Sequence, residues 1–125
     1  MLKLFSDARG TLGSLEFSDL PFVPQRFYWV QINESEVRGK HAHKNLEQII
    51  FVQEGTVKFR VVVGNRESIT TLNVGDHIYL GPSMWREFES VGARAILGCL
   101  ASAPYDEADY IRDFNKYLET FNEVL

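Results

Sequence analysis

Arg38-Gly39-Lys40-His41-Ala42-His43-Lys44-Asn45-Leu46-Glu47-Gln48 holds two of the chain's three histidines. On an extended strand, side chains at i and i+2 point to one face. His41 and His43 therefore project together, and Ala42 leaves the opposite face small. Taken alone, such a pair could equally be two exposed surface histidines, so the neighbouring sequence has to decide.

On both sides, short β-like runs alternate with Gly, Pro and Asn breaks. Residues 25–32 (QRFYWVQI) are aromatic and β-branched and read as a strand. So do residues 48–52 and 56–63, joined by a hairpin turn at Gln53-Glu54-Gly55. A second turn at residues 64–67 leads into 68–72, and Val74-Gly75-Asp76 breaks the chain before 77–80. Residues 85–89 and 94–101 complete the set. Many short strands at this spacing favour a sandwich or barrel. After Pro104, Ile111, Phe114, Leu118, Phe121 and Leu125 recur at helical intervals. Asp106, Glu107 and Asp109 stand where negative charge complements a helix N-terminus. The expectation is an all-β domain over residues 1–125 with a C-terminal helix laid on it as a lid.

Bulk properties narrow the function. With 125 residues, 45% hydrophobic and 24% charged, the chain has the balance of one soluble domain. A net charge of −4 argues against a broad nucleic-acid surface, though not against a local basic pocket for one pyrophosphate. Cys99 is the sole cysteine and lies in an apolar run, so it reads as a core thiol without an internal disulfide. No secretory signal and no run of the ~18 apolar residues needed to span a bilayer is seen, which makes the cytoplasm the expectation and a membrane partner unexpected.

The spacing around the histidines resembles the first cupin motif: His41-x-His43, four residues, Gln48, six residues, Gly55. Residues 75–88, from Gly75-Asp76-His77 through Gly81-Pro82 to Trp85-Arg86, resemble the second. Together they imply a cupin, a double-stranded β-helix or jelly-roll barrel. Metal-binding cupins use two histidines and a Glu from the first motif and a histidine from the second. Here those last two positions are Gln48 and Arg86. A guanidinium has no lone pair to give and would repel a cation. Glu47 is one residue off register and faces the other way. Two histidines alone make a poor catalytic metal site, so neither metal nor cofactor is expected. A pair of histidines released from a metal suits proton transfer. His77, at a strand start, reads as a surface or turn residue.

Nearly the whole chain resembles the WxcM-like cupin family of nucleotide-sugar 3,4-ketoisomerases. The likeness is carried by residues 38–44 (RGKHAHK), Glu47-Gln48, residues 79–85 (YLGPSMW), residues 100–114 (LASAPYDEADYIRDF), Asp7-Ala8-Arg9-Gly10-Thr11-Leu12 and Gln25-Arg26-Phe27-Tyr28. The resemblance implies conversion of a dTDP-4-keto-6-deoxyhexose to its 3-keto isomer, a step toward amino-deoxysugars of bacterial surface glycans. It implies His41 as main base, His43 as its neighbour in proton handling, Tyr28 as a helper, and Arg26 and Arg38 as pyrophosphate clamps. Gln48, Trp85 and Arg86 complete the expected substrate site. Read from the residues alone, Tyr28 could be a core aromatic, the two arginines surface charges, and Trp85 either pocket wall or core. The family pattern usually has a His after the Trp; Arg86 departs from it, which bears on rate, on product or on anion binding. The family implies homodimers with exchanged N-terminal strands. A non-catalytic sugar-nucleotide binder, a metal-dependent cupin and a cupin sugar epimerase are the competing readings.

Overall fold

Strand-forming residues of alternating character dominate the chain, and the computed structural model, which describes residues 1–121, arranges them in antiparallel sheets. A hairpin of β1 (Leu2–Asp7) and β2 (Gly10–Leu15) forms a separate two-stranded sheet. Two larger sheets face each other. The first has the order β3 (Arg26–Ile32), β10 (Ala95–Ala101), β5 (Gln48–Glu54), β8 (His77–Leu80). The second runs β11 (Tyr110–Ile111), β4 (Val37–His43), β9 (Met84–Ser90), β6 (Val57–Val63), β7 (Arg66–Leu72). This is the all-β cupin architecture expected from the sequence. Each strand read in the sequence ends within two residues of the observed one.

Alternation along the strands builds the core. On β3, Tyr28, Val30 and Ile32 point inward, whereas Phe27 and Trp29 remain 51% and 69% exposed. Between the sheets Ile50, Val52, Phe59, Leu80, Phe88 and Leu97 pack with Cys99. Removing such side chains from water is the main force holding the sheets together. The β5–β6 turn depends on Gly55: at φ +82°, an added Cβ would sit 2.7 Å from the Arg94 carbonyl.

The C-terminal region departs from expectation. The helix, α1, spans Phe114–Phe121 and begins later than the apolar spacing suggests. Ile111 belongs to β11, paired with Ala42, and the acidic residues before it form a short 3-10 turn, Glu107–Asp109. The helix start is supplied by Asp113, whose Oδ1 accepts from the Lys116 amide at 3.1 Å. Leu125 lies outside the described residues. The lid role holds: Tyr117, fully buried, packs with Ala42, Val62 and Trp85 on the outer face of the second sheet. Strands β1 and β2 were not legible in the sequence. No helix among the described residues is long and apolar enough to cross a membrane.

Candidate active site

The site forms where β4 runs between β9 and β11. Gly39 and Lys40 have φ values of +91° and +56°, and the β4–β9 register shifts between Gly39 and His41. A bulge of this kind re-aims the side chains that follow it. A Cβ on Gly39 would meet the Phe88 ring at 2.9 Å and the Arg86 carbonyl at 3.2 Å. The glycine therefore lets β4 approach β9 closely, and its carbonyl oxygen lies 3.0 Å from His41 Nδ1. A carbonyl only accepts, so Nδ1 carries the proton and the lone pair of His41 resides on Nε2.

His41 and His43 meet edge to face with ring centroids 4.9 Å apart. Tyr110 on β11 covers both, at 4.9 Å from His41 and 4.3 Å from His43. The Arg112 guanidinium lies over that phenol at 4.1 Å from its centroid and is held by Glu107 through two 2.8 Å hydrogen bonds. His41 is half-buried; His43 is fully so. Neither ring nitrogen of His43 has a hydrogen-bond partner among the described residues. Its Nδ1 comes within 3.3 Å of Asp109 Oδ2, outside hydrogen-bonding geometry. The Asp109 carboxylate is instead engaged by the Asn45 amide (2.9 Å), the Asn45 side chain (3.2 Å) and the Leu46 amide (3.2 Å), fixing the β4–β5 loop.

On the facing strands a second group closes the constellation. Arg86 is 1% exposed, and its Nη1 donates to Gln48 Oε1 at 2.5 Å while Nε donates to the Met84 carbonyl at 3.3 Å. Its Nη2 has no partner among the described residues. Gln48 Nε2 donates to the Tyr28 hydroxyl at 2.5 Å. The Arg26 guanidinium lies 5.0 Å over the Tyr28 ring, with its buried Nε unpaired. A cavity of about 150 Å³ opens beside His43, bordered by Arg26, Asn45, Ser102, Asp106 and Tyr110. It is smaller than the roughly 300–1,000 Å³ usual for ligand sites. A nucleotide sugar would fill it only in part and extend over the surface beyond it.

The electrostatics follow from burial. Loss of solvation, followed by the nearby Arg86 charge, lowers His41 to about 4 and His43 to about 3. Both imidazoles are thus neutral at neutral pH. Arg86 is itself lowered to about 10 by burial and stays charged. Burial raises Tyr28 well above the usual phenol value, so it remains a hydroxyl donor. Cys99, buried and pushed up to about 12 mainly by desolvation, is an inert core thiol as expected.

The donor set does not fit a cupin metal. Gln48 Oε1 is occupied by Arg86, whose positive charge stands beside both histidines. Among the described residues, no three His, Cys, Asp or Glu side chains gather in a way that could hold an ion.

Of the residues singled out in the sequence, the structure brings Arg26, Tyr28, His41, His43, Gln48 and Arg86 together. Trp85 is corrected: it points to the outer face, 2% exposed beneath α1, and its Nε1 donates to Glu87 at 2.8 Å. Arg38 is exposed, across the ladder from Phe88. Glu47 faces away, as expected, and accepts from Tyr79 at 2.8 Å. His77 is exposed at the start of β8. Tyr110 and Asp109 were missed as site residues; their signal lay in the DEADY stretch, which reads locally as a helix start.

The family described as FdtA, WxcM-like, C-terminal matches residues 1–122. The chain belongs to this family. It is 35% identical to a TDP-4-oxo-6-deoxy-alpha-D-glucose-3,4-oxoisomerase of Aneurinibacillus thermoaerophilus, over 96% of this chain and 91% of that one. Among solved structures, it is similar to the sugar 3,4-ketoisomerase QdtA of Thermoanaerobacterium thermosaccharolyticum in complex with TDP (34% identity, TM-score 0.88, 99% of this chain and 93% of that one). A histidine-to-asparagine mutant of QdtA in complex with TDP-4-keto-6-deoxyglucose superposes with a TM-score of 0.87 at 34% identity, covering 98% and 91% of the two chains.

Proposed function

We propose that this protein is a 3,4-ketoisomerase of a TDP-linked 4-keto-6-deoxyhexose that works by histidine-mediated proton transfer. The observation that carries the reading is His41, neutral and held by the Gly39 carbonyl so that Nε2 is the free base. The family membership and the ketoisomerase activity of its relatives support the substrate class.

The C4 carbonyl acidifies the hydrogen on C3. His41 Nε2 takes that proton, the C3–H electron pair becomes the C3–C4 double bond, and the carbonyl electrons move onto the C4 oxygen. Arg86 Nη2, charged and unpaired, and the Tyr28 hydroxyl are the donors for that developing oxyanion. Fixed donors at such a position are worth about 10²–10³-fold in rate each. The C4 oxyanion takes up a proton as the C3 hydroxyl gives one up, and the C3–O electron pair forms the new carbonyl. The double-bond pair takes a proton at C4 from the imidazolium, which has exchanged with solvent, leaving a hydroxyl at C4 and the ketone at C3. No redox partner is required. His43 backs His41 in handling protons, Arg26 and Arg38 clamp the pyrophosphate, and Gln48 contacts the substrate side of the site.

We further infer a cytoplasmic homodimer. Among the described residues, β3 is a sheet edge and the β1–β2 hairpin pairs only with itself, an arrangement of marginal stability in isolation. Phe5, Leu12 and Phe17 are 61%, 60% and 60% exposed, and Phe27 and Trp29 on β3 are exposed as well. Exchange of N-terminal strands between two copies covers this apolar surface. Light scattering should report twice the 14.3 kDa chain mass; a monomer would refute the exchange.

Incubation with TDP-4-keto-6-deoxyglucose tests the activity. NMR should show a 3-keto product; a C5 epimer that keeps the 4-ketone would identify an epimerase, and an unchanged sugar a binder.

A further inference from the structure

The buried chain from Arg86 through Gln48 to Tyr28 has a fixed direction. A guanidinium only donates hydrogen bonds. The Gln48 atom 2.5 Å from Arg86 Nη1 is therefore the amide oxygen, which settles the orientation of the amide. The amide nitrogen then faces Tyr28, 2.5 Å from its hydroxyl oxygen. An amide nitrogen also only donates, so the Tyr28 oxygen accepts. A phenol has one proton, and here it cannot point at Gln48. It is left for the Cys99 thiol across the β3–β10 ladder or for an oxygen arriving in the site.

Gln48 cannot escape this role by swinging outward, since it is 1% exposed and paired in register with Ala101 and Leu80. We infer that Gln48 is a positioning residue: by accepting from Arg86 and donating to Tyr28, it turns the Tyr28 hydroxyl into an obligate donor aimed away from Gln48. A carboxylate of the same shape would accept from both neighbours and draw the Tyr28 proton back toward itself. The reaction therefore disfavours an acceptor facing Tyr28 at this position, on grounds of polarity rather than size. This inference rests on the ketoisomerase reading and assigns Gln48 a part in catalysis beyond substrate contact.

Steady-state kinetics with TDP-4-keto-6-deoxyglucose test it, using wild type, Gln48→Glu, Gln48→Met, Tyr28→Phe and the Gln48→Glu/Tyr28→Phe double variant. Gln48→Glu keeps a partner for Arg86, so the fold is retained. It should lower kcat by about tenfold or more with KM changed by less than about threefold, the mark of a lost transition-state contact. Gln48→Met, which frees the Tyr28 proton without capturing it, should lose less. In the Tyr28→Phe background Gln48→Glu should cost less than about twofold further, because residues acting through one another are not additive. Multiplying losses, equal losses for Met and Glu, or full kcat in Gln48→Glu would overturn the inference while leaving the function intact. A wild type without turnover would instead remove the ketoisomerase reading and this inference with it. Should Gln48→Glu fail to fold, Gln48→Met in the two Tyr28 backgrounds gives the same test of coupling.

Discussion

The Nδ1 of His41 lies 3.0 Å from the carbonyl oxygen of Gly39, a glycine held at φ +91° by the close approach of β4 to β9. That relationship assigns the tautomer and leaves Nε2 as the atom that can remove a proton. His41→Asn should therefore lose about 10²–10⁴-fold in kcat, the usual worth of a placed proton-transfer group. Its affinity for TDP, measured by calorimetry, should stay within about threefold, since the base does not hold the nucleotide. Loss of TDP binding instead would make His41 a ligand-binding residue.

Both imidazoles are held well below the ordinary value of 6.5, mainly by burial and then by Arg86. The free enzyme should keep kcat/KM level from pH 8 to about pH 5, where an unperturbed histidine base would already have titrated. The sign for folding is the same. Between 6.5 and about 4 the unfolded chain binds protons on His41 that the folded chain refuses, so stability falls as pH drops through that window. Denaturant midpoints at pH 7 and pH 5 check this; a higher midpoint at pH 5 would contradict it.

Arg86 sets the charge of the site from inside the protein. Arg86→Met removes the donor with a free Nη2 and should cost about 10²–10³-fold in kcat. It should also move the acid limb of the pH–rate profile upward, because a positive charge that opposes imidazolium is gone. A variant with slower turnover but an unmoved acid limb would separate Arg86 from the histidines.

Much of this was legible in the sequence, for a physical reason. Strands such as Arg26–Ile32 and Val57–Val63 bury one face against the core, and burial imposes the alternation by which they were recognised. β1 and β2 pair only with each other and are largely exposed, so no core stamped a pattern on them. The same period of two explains the error at Trp85. Met84 and Phe88 pack with the inner core, so Arg86 between them faces inward, and its neighbour Trp85 must then face out under α1. Adjacent strand residues cannot share a pocket. Asp109 resembles helix-terminal charge in the sequence because its partners, Asn45 and Leu46, are 64 and 63 residues away.

The lid makes a claim about stability alone. The Tyr117 hydroxyl lies 2.7 Å from the Ser83 carbonyl, 2.8 Å from the Val62 carbonyl and 3.2 Å from the Gly64 amide that donates to it. Tyr117→Phe strips these buried groups of their partner and should cost about 1–3 kcal/mol of unfolding free energy. The rate per folded molecule should not change. A large loss of kcat in the folded variant would give α1 a role in chemistry.

Catalysis by His41 requires that a proton leave C3 and another arrive at C4 within one active site. The most direct measurement is NMR of TDP-4-keto-6-deoxyglucose incubated with the protein in deuterated water. The expected product is a 3-keto sugar carrying deuterium at C4. A product labelled only at C5 with its ketone still at C4, or a sugar that never exchanges, would contradict it.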